Sequence, residues 1–238
     1  MNDLNNKVAY ITGGSKGIGY GIAEALLKLG MRVAITSRSL DAAEKAAASL
    51  SKDSKRVLAL ESDVSSMASE QRCVEKVLNH FGQLDVVVAN AGVGHLVSFD
   101  DITEEQWNET INTNLTGVFN TVKSSLAALK QSQGYVITIA SLAGTNFFEK
   151  GTAYNSSKFG LVGFSQALML DVRKHGIKVT TIMPGSVATA FADHVVSDND
   201  AWKIQPEDIG QMVADLLNMN PRTLPSKIEV RPSKPGKG

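Results

Sequence analysis

Short runs of apolar and β-branched residues alternate along this chain with longer stretches in which apolar positions return every three or four residues. The short runs, Val8–Thr12, Arg32–Thr36, Val57–Glu61, Leu84–Ala89, Tyr135–Ala140, Val179–Met183 and Lys227–Val230, predict strands. Most are apolar throughout, as strands are when helices cover both faces of a parallel sheet. Between the first two runs Ile18, Ile22, Leu26 and Leu29 recur at spacings of four, four and three, and Gly30 follows as a stop, which predicts a covering helix. Further helices are predicted over Asp41–Leu50, Ser66–Phe81, Glu104–Lys130, Ala153–His175 and Pro206–Asn218. Repeated strand–helix alternation predicts an α/β fold: a Rossmann-type, doubly wound parallel sheet of about seven strands with helices on both faces.

No linker, repeat or low-complexity tract interrupts the pattern, so residues 1–231 read as one domain, with residues 232–238 as a flexible tail rich in Pro, Lys and Gly. A chain of 238 residues with 43% hydrophobic residues can bury a large core. The 24 Lys and Arg balance 24 Asp and Glu, so no basic footprint points to nucleic acid, and the expected partner is a small molecule. The single cysteine, Cys73, has no disulfide partner within the chain. The opening residues Met1–Asn6 lack a basic, then apolar, leader, and no apolar run reaches bilayer length, so a cytoplasmic location without membrane contact is expected. His80, His95, His175 and His194 are scattered without metal-ligand spacing, so no metal is expected; His95, just after the fourth strand, lies near enough to the presumed site mouth to touch substrate, though an ordinary loop residue is the simpler reading.

Candidate chemistry begins straight after the first strand, at Thr12-Gly13-Gly14-Ser15-Lys16-Gly17-Ile18-Gly19. Glycines here allow a tight turn and close approach of backbone to a pyrophosphate at the following helix N-terminus, although strand–helix turns also use glycine for conformation alone. An acid at the end of the second strand would bind the adenosine ribose of NAD; this chain has Thr36-Ser37-Arg38-Ser39 instead. Arg38 and Lys16 together can bracket a 2′-phosphate, which favours NADP(H), although either alone reads as an ordinary solvated charge.

A second constellation is Tyr154-Asn155-Ser156-Ser157-Lys158, which on a helix places a phenol and an ammonium on one face, one turn apart. A free phenol has a pKa near 10, and nearby positive charge is the natural means of making it a usable acid or base near neutrality. Ser141, ending the fifth strand, is placed to hydrogen-bond a carbonyl oxygen as it gains charge. Taken singly, a Tyr-x-x-x-Lys pair is commonly a surface pair and a strand-terminal serine is commonly structural.

The glycine spacing, an Asn-Ala-Gly segment, Ser141 thirteen residues before Tyr154, and Pro184-Gly185 after the sixth strand together resemble the short-chain dehydrogenase/reductase family, from Lys7 to about Thr189. That resemblance implies cofactor contacts from Gly13, Ser15, Lys16, Gly17, Ile18, Gly19 and Arg38, an adenine contact at Asp63 and Val64, and further contacts from Asn90, Ala91, Gly92, Tyr154, Lys158, Pro184, Gly185, Val187 and Thr189. It also implies a catalytic set of Asn114, Ser141, Tyr154 and Lys158, with Asn114 in a proton relay through water. Ala89 departs from the family's usual asparagine, and Ile228–Pro232 replaces a glycine-rich region after the last strand.

The expected activity is NADPH-dependent reduction of a ketone or aldehyde, or oxidation of the alcohol, in a homo-oligomer, a tetramer ahead of a dimer. Reduction of a 3-oxoacyl chain on acyl-carrier protein is the enzymatic alternative, and a non-catalytic NADP(H)-binding sensor or scaffold the alternative of another class. Phe147, Phe148, Phe191 and Trp202 suggest an apolar cleft or, equally, a sealed core or subunit interface. The substrate-binding segment is expected near residues 186–205, and its stretch from Ala190 to Gln205 is short for a covering lid, which predicts an open cleft.

Overall fold

Seven parallel strands form one sheet: β1 (Val8–Ile11), β2 (Arg32–Ser37), β3 (Val57–Glu61), β4 (Val86–Ala89), β5 (Tyr135–Ile139), β6 (Lys178–Pro184) and β7 (Lys227–Val230), in the order β3-β2-β1-β4-β5-β6-β7. The structure, a computed structural model, describes residues 3–234, so the last four residues of the 232–238 tail lie outside the described part. The chain steps outward from β1 to β3, returns to lay β4 against the other side of β1, and then steps outward again to β7. A crevice therefore opens beyond the C-terminal ends of β1 and β4, where the direction of winding reverses and open α/β sheets bind their ligands.

The sheet's two faces are read directly from β1. Val8 and Tyr10 join one core with residues of α3 (Met67–Phe81), α5 (Gly117–Ser132) and α6 (Thr152–Val172). Ala9 and Ile11 join the other with α1 (Gly17–Lys28), α2 (Leu40–Leu50) and α7 (Pro206–Asn218). Successive strand residues point to opposite faces, and both are covered, which is why the strands are apolar without alternation. Helices α1 and α7 touch backbone to backbone: a Cβ on Gly21 would meet the Pro206 carbonyl, and one on Gly210 would meet the carbonyl of Gly21.

Two expectations need correction. The predicted strand Leu84–Ala89 begins at Val86, although Leu84 is buried beneath it. The predicted single helix Glu104–Lys130 is two, α4 (Glu104–Ile111) and α5, joined through a π-helical turn at Asn112–Thr116. One extra residue per turn leaves the apolar spacing nearly intact, so periodicity alone reads straight through it. Among the described residues no helix is long and apolar enough to cross a membrane.

Candidate active site

The glycine turn is locked to the neighbouring strand exit. The Thr12 hydroxyl accepts from the backbone N–H of Asn90 and of Ala91, both at 3.1 Å, while Asn90 Nδ2 donates to the carbonyls of Thr12 (2.9 Å) and Gly13 (3.1 Å). Gly13 and Gly17 hold left-handed backbone, with φ of 64° and 57°. A Cβ on Gly19 would stand 2.5 Å from the Gly13 carbonyl oxygen and 2.6 Å from Asn90 Nδ2. Helices α2, α3 and α4 are each capped by a side chain (Ser39, Ser66 and Thr103), but α1, with Lys16 at its N-cap position, has no side-chain cap and no acid in its first turn. Its first N–H groups and the positive end of its dipole are thus offered to the crevice, as a pyrophosphate requires. The residues present fit a dinucleotide.

Around this cradle the expected contacts converge unevenly. Ser15 and Ile18 are half-buried and Lys16 is exposed, all in the turn that opens α1. Thr189 stands over Gly17, where a Cβ would lie 3.2 Å from its Cγ2, so the stretch after β6 folds back onto the glycine turn. Pro184 ends β6, Gly185 N–H donates to Val230 at 2.7 Å, and Val187 forms an isolated parallel bridge with Ile204. Val64 is buried against Gly117, and Asp63 points outward, its carboxylate accepting from the Ser65 N–H (2.9 Å) and hydroxyl (2.7 Å). Arg38, exposed just past β2, pairs with Glu109 of α4 at 3.2 Å; the other Glu109 oxygen takes His95 at 2.7 Å. The His95 hydrogen bond, with Arg38 adding to it, holds the Glu109 carboxyl below the usual range.

The second cluster sits across the crevice. Ser141 opens a short 3-10 turn, Leu142–Gly144; its hydroxyl accepts from the Ala143 N–H at 3.1 Å and donates to the Pro184 carbonyl at 3.5 Å. Tyr154 and Lys158 lie in the first turns of α6, and Lys158 Nζ stands 5.7 Å from the centre of the Tyr154 ring. Lys158 is buried (4% exposed) and donates to the Ile139 carbonyl at 3.0 Å; burial lowers its pKa to about 8. Burial raises the Tyr154 phenol, and hydrogen bonding with Ser141 pulls it partly back. Gly92 faces the same space, since a Cβ there would lie 3.3 Å from Asn114 Oδ1 and 3.7 Å from Lys158 Nζ.

Asn114, carried by the π-helical turn, is fully buried. Its Oδ1 accepts from Val93 N–H at 2.8 Å, and its Nδ2 donates to the Val93 carbonyl (2.8 Å) and the Ser157 hydroxyl (3.0 Å). Both side-chain donors are thereby committed, and what they do is pin the loop after β4 to α6. The Tyr154 ring is flanked by Phe191 at 5.4 Å and Phe148 at 6.3 Å between centroids, with Phe191 packed on Gly94. The mouth expected to be open is thus narrowed by Phe191, while Phe147 pairs with Phe159 at the surface and Trp202 lies beside Lys203. The loop bearing Phe191 is braced by the buried Asp200, which takes Lys203 (2.6 Å), His194 (2.8 Å) and the Ser197 N–H (3.0 Å). Sequence patterning marked Thr12 only as the start of the glycine turn and did not name Glu109, since their partners lie 71 to 79 residues away for the longest of these bonds.

The short chain dehydrogenase family profile matches residues 7–200. An oxidoreductase of Staphylococcus aureus strain MRSA252, itself uncharacterised, is 32% identical over 98% of this chain and 100% of its own length. An alcohol dehydrogenase of the archaeon Thermococcus sibiricus, complexed with 5-hydroxy-NADP, superimposes with a TM-score of 0.90 at 31% identity, covering 96% of this chain and 97% of the other. A metagenomic short-chain oxidoreductase in complex with NADP gives 0.85 at 29% identity, over 98% and 100%.

Proposed function

This chain belongs to the short-chain dehydrogenase family and is an oxidoreductase, and from that premise we propose that it reduces a ketone or aldehyde with NADPH, and oxidises the corresponding alcohol in reverse. The observation that carries the reading is the meeting of Ser141, Tyr154 and Lys158 at the mouth of a crevice whose other wall is the uncapped start of α1. When bound, the nicotinamide supplies or takes the hydride. Tyr154 gives a proton to the carbonyl oxygen, or removes one from the alcohol. Ser141 donates a hydrogen bond to the same oxygen and stabilises charge as it builds. Lys158 is a buried cation whose hydrogen bond goes to the Ile139 carbonyl, so its field acts on the nearby phenol and favours release of the Tyr154 proton. Asn114 keeps the loop after β4 at the right distance from α6.

NADPH, and not NADH, is the proposed cofactor because Arg38 follows the end of β2, where an acid would reject a 2′-phosphate, and Lys16 supplies a second cation at the glycine turn. Two relatives of similar fold hold NADP or a derivative of it, which supports the choice. Phe148 and Phe191 beside Tyr154 suit an apolar substituent on the carbonyl. The test is oxidation of NADPH and of NADH over a panel of ketones, aldehydes and a 3-oxoacyl thioester, with wild type and Tyr154→Phe. Turnover that prefers NADPH and requires Tyr154 is expected; tight NADPH binding with no turnover on any carbonyl would instead favour a nucleotide sensor.

A further inference from the structure

A chain of polar contacts ties together the two halves of the molecule that flank the crevice. Arg38 follows β2 on one half; Glu109 of α4 and His95 of the loop after β4 belong to the other. Glu109 divides its carboxylate between them, Oε1 to Arg38 Nη1 at 3.2 Å and Oε2 to His95 Nε2 at 2.7 Å. The two contacts differ in tightness and setting: the His95 side chain is 30% exposed and that of Arg38 71% exposed. The carboxylate is therefore tethered to its own half, while Arg38 is held at the solvent side by a longer, more screened contact.

We propose that Glu109 sets the cofactor preference by competing with the adenosine 2′-phosphate for Arg38. The inference rests on the reading of Arg38 as the residue that recognises that phosphate. A phosphate presents more charge and three acceptor oxygens to the guanidinium fork, so it displaces the exposed carboxylate as a partner. Glu109, tied to His95, does not leave with Arg38; it stays nearby as a carboxylate that has lost its arginine and opposes the incoming phosphate. A nucleotide with a bare 2′-hydroxyl makes no comparable demand on Arg38 and leaves the pair standing. Glu109 thus weakens binding of the phosphorylated cofactor selectively, and narrows a preference that Arg38 and Lys16 would otherwise make wider.

Calorimetry on the ligand-free protein tests this with adenosine 2′,5′-bisphosphate and with AMP, in wild type, Glu109→Gln, Arg38→Ala and the double variant. Gln preserves the size of the side chain and its hydrogen bond to His95. Glu109→Gln is expected to tighten the bisphosphate by about two- to fivefold, to leave AMP unchanged, and to have no effect once Arg38 is Ala. NADPH and NADH dissociation constants are expected to follow the same pattern. Unchanged or weaker bisphosphate binding in Glu109→Gln, with Arg38→Ala still impaired, overturns the competition and makes Glu109 a support that positions Arg38. Bisphosphate affinity that survives Arg38→Ala overturns instead the reading of Arg38, and the competition falls with it.

Discussion

Tyr10 lies within β1 and Tyr154 in the first turn of α6, each next to a buried ionisable side chain, yet these neighbours are of opposite charge type. The Tyr10 hydroxyl donates to both oxygens of Glu70, at 3.0 and 3.2 Å, and both residues are fully buried. Burial, then the charge of Glu70, pushes the Tyr10 phenol well above its ordinary value. Tyr154 is also raised by burial, but Ser141 counters the shift, Lys158 is its charged neighbour, and part of its ring faces the crevice. A carboxylate holds the phenolic proton in place, whereas an ammonium favours its loss. The comparison shows that a tyrosine becomes an acid or base through its surroundings, and that the same side chain in the wrong field is a structural strut.

The largest expected effect separates the two by activity. Tyr154→Phe is expected to reduce kcat by about a hundred- to ten-thousandfold while leaving the thermal unfolding midpoint almost unmoved. Lys158 should then reveal itself in the pH dependence of stability. Its folded pKa of about 8 lies below its ordinary value of 10.5, so the native state carries a penalty that is full below pH 8 and vanishes as pH rises toward 10.5. Denaturant titrations should show wild type gaining on the order of 3 kcal/mol relative to Lys158→Met across that window, and a flat difference would mean the lysine is not buried as a cation.

Tyr10→Phe inverts the Tyr154 result: turnover within about twofold of wild type, but stability lower by about 1–3 kcal/mol, because a buried carboxylate loses a donor. If turnover falls as far as in Tyr154→Phe, the distinction between strut and acid collapses. The smallest effect belongs to Glu70, whose carboxyl is raised by burial against the hydrogen bond from Ser62 at 2.5 Å. A raised carboxyl destabilises the fold as pH climbs upward from the ordinary carboxylate range, the opposite sign to Lys158. Glu70→Gln should flatten that acid-side slope in an unfolding series; an unaltered slope would place its origin elsewhere.

What could be read from the chain follows from what is local in it. The strands, the glycine turn, and the one-turn spacing of Tyr154 and Lys158 are written in short windows, because periodicity and turn chemistry act over a few residues. Ser141 was placed by its distance from Tyr154 and by the end of a strand. The pairs that complete the site span the fold: Tyr10 with Glu70, Thr12 with Ala91, Arg38 with Glu109. No local pattern marks such partners, since each is an ordinary strand, turn or helix residue until the sheet brings it across. Asn114 shows the intermediate case, because its position was legible from resemblance while the π-helical turn that aims it was not.

That turn also sets a phase. An α-helix advances by about 100° per residue, so a five-residue step at 112–116 delays everything downstream by nearly a third of a rotation. Upstream, the buried Thr110 keeps α4 in register with its neighbours; at the turn, Asn114 reaches Val93; downstream, Val118 and Val122 meet the sheet. Deleting one residue from the turn would rotate α5 by about 100° relative to α4 and swing one of these three addresses away from its partner. The inserted residue works as an offset, letting two helices joined end to end serve a core and an active-site loop that one regular helix could not face together.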